Sequence, residues 1–552
     1  MKIDIIKKTI IELPFVNELI EIKNVAGIIS GKVSIYFENL EKPLIFNFEI
    51  HPQYPFKTYE TESIKFINKE LIQYNHVMED GSICIHTSHS SNLIEKIKID
   101  FNALVEWIKI YFLDKKEDNK YEHIIVNEQP IDNNYYSYLF TDTNHKFQKG
   151  EFGEVNLLKF SISTYRDHQN HNFLVQSFIS NNGKKINCQW NSFYNKLPPT
   201  NKGIYVFIKS HPAKYNRFAF NNWTDLRELL PKNFASYLYS FEKTNLKKFK
   251  GAVVPIFIGY EITKDEIHWQ VALEKIGNFP TEGFPIKISG IKTGKWGSQI
   301  VNKDIVWGIT RNISYKYFYG RGTFSEKLIN SKILIIGIGA IGSILAKTLV
   351  KGGCKYIDVV DYDVKEPENV CRSEYLFSTG LTNKTDELIQ IIRANSPFVE
   401  TNLINNNYFE HIKSFSNDIN SKTIIADTLS KYDIIFDCST DNDLMYILNS
   451  LKIKSDIINL SITNHANELV CAFYPNLYHF VRTQFEEILD NDIVNLYEPT
   501  GCWSPTFKAS YNDINTLLQI AIKHINEIYK SNKKKNNFII KYNDNQINIQ
   551  EF

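Results

Sequence analysis

Apolar and polar positions change their period along this chain, and the changes divide it. Residues 26–50, AGIISGKVSIYFENLEKPLIFNFEI, alternate with the two-residue period of half-buried strands. The pattern predicts a β-meander with turns at Ser30–Gly31 and near Glu41–Lys42. An irregular proline segment, HPQYPF, follows. Then ESIKFINKELIQYNHVMEDGSICIHT reads as a strand, a turn at Asp80–Gly81 and a cysteine, Cys84. From Ile99 to Leu113 the period becomes helical, with Phe101, Leu104, Val105, Ile108 and Phe112 on one face.

Residues 150–315 carry strand-like runs, NFLVQSFIS, GIYVFIKS and AVVPIFIGY, among many aromatics. Pro198–Pro199 and ISGIKTGKWGSQ read as turns. This predicts a mixed α/β domain without a decodable motif. The longest apolar run, Ile333 to Val350, nearly reaches membrane-spanning length. Its glycines, Ser343 and Lys347 argue instead for a buried strand, a glycine turn and a helix. Near the end, EPTGCWSPTFKASYNDINTLLQIAIKHI reads as a loop holding Cys502, then a helix from about Tyr511 with Asp513 in its first turn. The tail, 531–552, has a short basic run and two strand-like pieces.

Composition adds limits. With 552 residues, 43% hydrophobic and 23% charged, the chain suits several globular domains. A formal charge of +1 gives no electrostatic footprint for nucleic acid or membrane. Seven scattered cysteines argue against a disulfide framework and for a cytoplasmic setting. The N-terminal stretch lacks an apolar core of signal-peptide length, so no leader is expected.

The glycine turn carries the first chemistry. Gly337, Gly339 and Gly342 stand in G-x-G-x-x-G spacing, which lets backbone N–H groups approach a phosphate at a helix N-terminus. The next strand, KYIDVVDYD, brings Asp361 to the place of a ribose ligand. A dinucleotide-binding oxidoreductase would need little more. Here Asp363, Asn369, Arg372 and Lys384 follow closely, supplying a carboxylate for ribose or metal and cations for a triphosphate.

The pattern D-x-D-x(5)-N-x-x-R, followed by a lysine opening a helix, resembles the ThiF/HesA/MoeB superfamily, which includes the adenylation domains of ubiquitin-activating enzymes. The resemblance implies Mg-ATP-dependent adenylation of a protein C-terminal carboxylate. It makes Asp441, within YDIIFDCSTDN, the Mg²⁺ ligand, and it implies a homodimer. Arg321, just before this region, is then a candidate to reach the partner protomer's ATP. Ser373 departs from the family's usual Gln, and the GLTNK and DCSTDN segments run one residue long. No CxxC pair is present to hold the zinc common in such proteins.

The N-terminal order, with Y-P-F at 54–56, G-S-I-C at 81–84 and an amphipathic helix after it, resembles the ubiquitin-conjugating fold. That implies Cys84 as a thioester carrier. At the family's oxyanion-supporting Asn, eight residues upstream, stands His76, which either donates the same hydrogen bond or satisfies a loop carbonyl. G-C-x-x-P-T-F resembles bacterial fusions of conjugating and activating modules, and implies Cys502 as the activating thiol. Cys188, Cys354, Cys371, Cys438 and Cys471 carry no such signal.

The expected architecture is therefore an α/β multidomain chain. An α+β ubiquitin-conjugating-like domain spans 1–130, a mixed α/β linker domain 150–315, a Rossmann-like ThiF adenylation domain 316–530, and a tail 531–552. The order resembles the ancillary transferase of bacterial CBASS anti-phage systems. It implies activation of a cGAS-like nucleotidyltransferase or, alternatively, a ubiquitin-like protein, and its transfer from Cys502 to Cys84 and on to an amine. A NAD-dependent oxidoreductase is the rival from another class.

Overall fold

A computed structural model describes residues 2–552 apart from 60, 117–123, 264–265, 289–290, 403, 405–418, 490–495, 498–505 and 544. The predicted Cys502 falls outside the described residues.

The N-terminal part opens with helix α1 (Lys2–Ile11), followed by an antiparallel meander of β1 (Val16–Val25), β2 (Ile28–Ile35), β3 (Leu44–Ile50) and β4 (Ile64–Ile67). The first turn lies at Ala26–Gly27, both at positive φ, and not at Ser30–Gly31. Gly31 is inside β2, where an added Cβ would come within 2.9 Å of the Phe48 ring. This glycine serves close packing rather than a turn. Helix α2 (Leu93–Trp107) starts six residues before the apolar stripe suggested, because the Asn92 side chain caps the N–H groups of Ile94 and Glu95. The α-helix then widens into a π-helical turn over Ile108–Leu113. Phe101 of α2 packs on Phe66 and Phe48, with ring centroids 4.9 and 6.3 Å away. Sheet alternation and helix periodicity thus meet in one core.

The middle of the chain forms an eight-stranded mixed sheet. Its strands are β5 (Asn134–Phe140), β6 (Phe152–Tyr165), β7 (His168–Ser180), β8 (Lys185–Asn187), β9 (Asn201–Phe207), β10 (Val253–Thr263), β11 (Glu266–Lys275) and a last strand, Ile309–Asn312. The order is β11-β10-β9-β6-β7-β5 and then 309–312, with β8 on β7. Helix α3 (Phe234–Phe249) packs on one face. The glycine-rich ISGIKTGKWGSQ is not a string of turns: Ile291–Ile300 pairs antiparallel with Thr281–Ile288 as a long hairpin.

The C-terminal sheet has the order β16-β15-β17-β18-β19-β20-β21, where β15 is Lys332–Ile336, β16 Tyr356–Val360, β17 Ile434–Asp437, β18 Asp456–Thr463, β19 Glu468–Phe473, β20 Phe538–Asn543 and β21 Gln546–Glu551; β12, β13 and β14 are Thr281–Ile288, Ile291–Ile300 and Ile309–Asn312. Strands β16, β15, β17 and β18 are parallel, and the rest antiparallel. Both faces are covered. Helices α4 (Ala340–Lys351), α5 (Lys384–Asn395) and α8 (Tyr511–Ser531) share a core with Ile333 and Ile335. Helices α6 (Asn442–Ser450) and α7 (Leu477–Leu489) contribute to the core on the other face, with Leu334 and Ile336. Double burial explains why β15 reads as a continuous apolar run rather than an alternating one. The two strand-like pieces of the tail are β20 and β21, which extend this sheet.

Segments flanking the middle sheet contact both neighbours. The Arg217 guanidinium donates to the carbonyls of Tyr74 and Val77. On the other side, the Asn191 side chain donates to the Val399 carbonyl at 3.1 Å, and Ser192 gives Glu400 two hydrogen bonds.

Candidate adenylation and thiol sites

Strand β15 lies between β16 and β17, so the chain leaves it in opposite directions on its two sides. Open α/β sheets bind ligands at such a switch point, outside the carboxyl ends of the strands. The glycine turn sits there. Gly337 has φ +76°, and an added Cβ would lie 2.5 Å from Ser439 Cα. At Gly342 it would lie 2.1 Å from the Gly337 carbonyl oxygen. The turn can therefore close only without side chains. Gly339 caps α4 with no side-chain hydrogen bond, and space opens beside it. The first N–H groups of a helix left without a side-chain cap suit an anion.

The carboxyl end of β16 supplies the predicted acids. Asp361 accepts from the Ile338 N–H at 2.8 Å and from the Asp363 N–H at 2.9 Å. Asp363 pairs with the Lys384 ammonium at the start of α5. The lysine side chain is 9% exposed and the aspartate 54%, so the pair joins the interior to the crevice. Lys384, Asp363, Asp361 and the glycine turn thus form one connected set. Asn369 has a local part: its side chain accepts from the Glu366 N–H and closes the 3₁₀ turn that ends at Arg372.

Asp441 N-caps α6, accepting from the N–H groups of Asp443 and Leu444 at 3.0 and 3.1 Å. Ser439, which abuts Gly337, donates from its hydroxyl to Asp437 at 2.7 Å. Burial pushes the Asp437 carboxyl above its ordinary range, against hydrogen bonds from Ser439 and Asn459. Among the described residues, no three His, Cys, Asp or Glu side chains are grouped to hold a metal alone. The set fits a nucleotide better than a closed metal cage. It offers a side-chain-free turn, an open helix end, and both carboxylate and ammonium. Arg321 is exposed in the turn before the short helix Glu326–Asn330, which precedes β15.

Sequence reading missed three supports of this site. Tyr375 donates to the Ile338 carbonyl at 2.5 Å, a second tie on the glycine turn beside that of Asp361. Lys365 and Glu387 form a buried ion pair at 2.7 Å. Glu374 accepts from the Tyr511 hydroxyl at 2.6 Å, linking the nucleotide-side loop to α8. None follows a local spacing rule, since the partners lie 22 to 137 positions apart.

The N-terminal thiol has its own surroundings. Cys84 is half-buried, and its N–H donates to the His76 carbonyl at 2.7 Å. His76 takes φ +60°, and its ring packs against Tyr111 at 4.6 Å. The predicted pair is thus brought together through the backbone. The four other described cysteines read as structural, Cys188, Cys354, Cys438 and Cys471, are buried, while Cys371 is exposed.

Residues 310–469 match the family model described as "ThiF family". The match contains the glycine turn, Asp361, Asp363, Arg372, Lys384 and Asp441. Over 403 residues the chain is 24% identical to the "ATP-dependent ubiquitin transferase-like protein Cap2" of Enterobacter hormaechei, covering 68% of this chain and 64% of that protein. Over 126 residues it is 31% identical to the "Adenylyltransferase and sulfurtransferase MOCS3" of Drosophila persimilis, covering 22% of this chain and 25% of that protein. The chain thus spans less than two thirds of these relatives. Similar solved structures include E. coli MccB with ATP (15% identity, TM-score 0.28, 41% of this chain and 65% of that one) and PaaA (19%, 0.30, 41% and 74%). No described helix is long and apolar enough to cross a membrane.

Proposed function

We propose that this protein activates the C-terminal carboxylate of a protein substrate with ATP and passes the acyl group along two cysteines to an amine. The observation that carries the reading is the connected set at the switch point: a side-chain-free turn, Asp361, Asp363 and Lys384. The ThiF-family match over the same residues supports it, as does similarity to a relative named as an ATP-dependent ubiquitin transferase-like protein.

The glycine turn and the N-terminus of α4 receive the phosphates, and Asp361 faces the ribose. Arg372 and Lys384 meet the triphosphate charge. The substrate carboxylate attacks the α-phosphorus, giving an acyl-adenylate and pyrophosphate. Mg²⁺, held with Asp441, neutralises charge on the phosphates when bound. The Cys502 thiolate then displaces AMP, and Cys84 takes the acyl group by transthiolation. A target amine attacks at Cys84 and forms the amide. The protein works as a homodimer in the cytoplasm. Its substrate is a cGAS-like nucleotidyltransferase primed for antiviral defence, rather than a dedicated ubiquitin-like protein.

ATP–pyrophosphate exchange and nonreducing gels with the candidate substrate test this. Asp441→Ala should abolish exchange. A thiol-labile adduct should persist on Cys502 in Cys84→Ala and vanish in Cys502→Ala. Conjugation at the wild-type rate by both single cysteine variants would overturn the relay.

A further inference from the structure

Downstream of Cys84 the chain is fixed by a buried charge network. Lys96 of α2 has its side chain 2% exposed and pairs with Glu62 at 2.9 Å and with Asp100. Those carboxylates are 4% and 0% exposed. Tyr54 donates to Asp100 at 2.9 Å. All of this converges on Thr87. Its N–H donates to Glu62 at 3.0 Å, its hydroxyl donates to Asp100 at 2.7 Å, and the same hydroxyl accepts from Lys96 at 2.5 Å. Buried charges cost several kcal/mol in desolvation, so a network of them serves to fix geometry at least as much as stability.

The fixed geometry concerns His86. The segment is pinned at one end by the Cys84 N–H on the His76 carbonyl and at the other by Thr87. Between the pins, His86 Nε2 lies 3.8 Å from Cys84 Sγ. Other titratable side chains nearby are engaged elsewhere. His89 stacks on Phe56 at 6.1 Å, the His76 ring packs on Tyr111, and Glu62, Lys96 and Asp100 serve Thr87.

We propose that His86 is a catalytic residue, the base that takes the Cys84 thiol proton, held in place by the Thr87 network. This deepens the relay proposed above and rests on it. In the tautomer protonated at Nδ1, Nε2 accepts the proton. The Cys84 thiolate attacks the carbonyl carbon of the incoming thioester and a new C–S bond forms. Collapse of the tetrahedral intermediate breaks the C–S bond to the donor cysteine. The departing thiolate takes the proton from the His86 imidazolium, so the loop ends neutral.

The test is the alkylation rate of Cys84 by iodoacetamide in the full-length protein, followed on the Cys84 peptide by mass spectrometry. At about pH 7, His86→Asn should slow alkylation roughly tenfold. At about pH 10, where thiols ionise in water unaided, wild type and variant should react alike. Thr87→Val, which keeps the imidazole but removes its anchor, should show the same convergent pattern with a smaller deficit. Equal rates at the lower pH, or a His86→Asn deficit that persists at the higher one, would overturn the assignment. Alkylation needs no substrate protein, so its outcome is separable from the relay's: wild-type conjugation by both Cys84→Ala and Cys502→Ala sinks the relay whatever the alkylation rates.

Discussion

Asp361, at the carboxyl end of β16, accepts a hydrogen bond from the Ile338 N–H in the middle of the glycine turn at 2.8 Å. A carboxylate from one strand thus sets the shape of the turn that leaves its neighbour. Asp361→Asn keeps the size but removes the charge. A hydrogen bond to a charged group contributes about 1.5–3 kcal/mol. ATP–pyrophosphate exchange should fall roughly ten- to a hundredfold. Circular dichroism should show the fold retained.

Gly342 should tolerate no side chain. Its Cβ would meet the Gly337 carbonyl oxygen at 2.1 Å, a backbone atom with no rotamer to yield. Gly342→Ala should cost about 1–3 kcal/mol by overpacking. A lowered thermal midpoint of the C-terminal domain would register it, together with loss of nucleotide-dependent stabilisation.

The network under Thr87 predicts an acid limb. Burial pushes the Glu62 carboxyl up from 4.5, but hydrogen bonds from Lys57, Lys96 and the Thr87 N–H outweigh it and hold the group at about 2. Its stabilisation is present above about pH 4.5 and is lost as pH falls toward about 2. Thermal unfolding followed across that window should show the loss in wild type and a flatter profile in Glu62→Gln. A wild-type profile flat across the window would remove Glu62 from the balance.

Legibility in the sequence followed the range of the interactions. Strand β15, its glycine turn and α4 declare themselves within 20 residues, because apolar runs and glycine spacing are local signals. Lys384 at the start of α5 and Tyr511 at the start of α8 were equally readable, the latter through a Ser510–Asp513 capping box. The turn placed at Ser30–Gly31 failed because glycine there answers to Phe48 on the next strand, which a linear pattern does not show. The hairpin at 281–300 failed because its glycines weaken the strand signal without breaking the pairing. Thr87 escapes a linear reading for the same reason: its partners, Glu62 and Asp100, reach it through folding. Lys96 and Asp100 stand four apart on one helix, which was the one local hint.

Arg217 changes what counts as a unit of this chain. Its guanidinium fills the carbonyls of Tyr74 and Val77, which bracket His76 and so the backbone that holds Cys84. A fragment ending after Leu113 would keep the meander and α2 but leave those carbonyls bare, and the cysteine loop would be set by water instead of by Arg217. The thiol centre therefore belongs to two domains at once, and dissecting the protein at its apparent boundary would cut through the site rather than beside it.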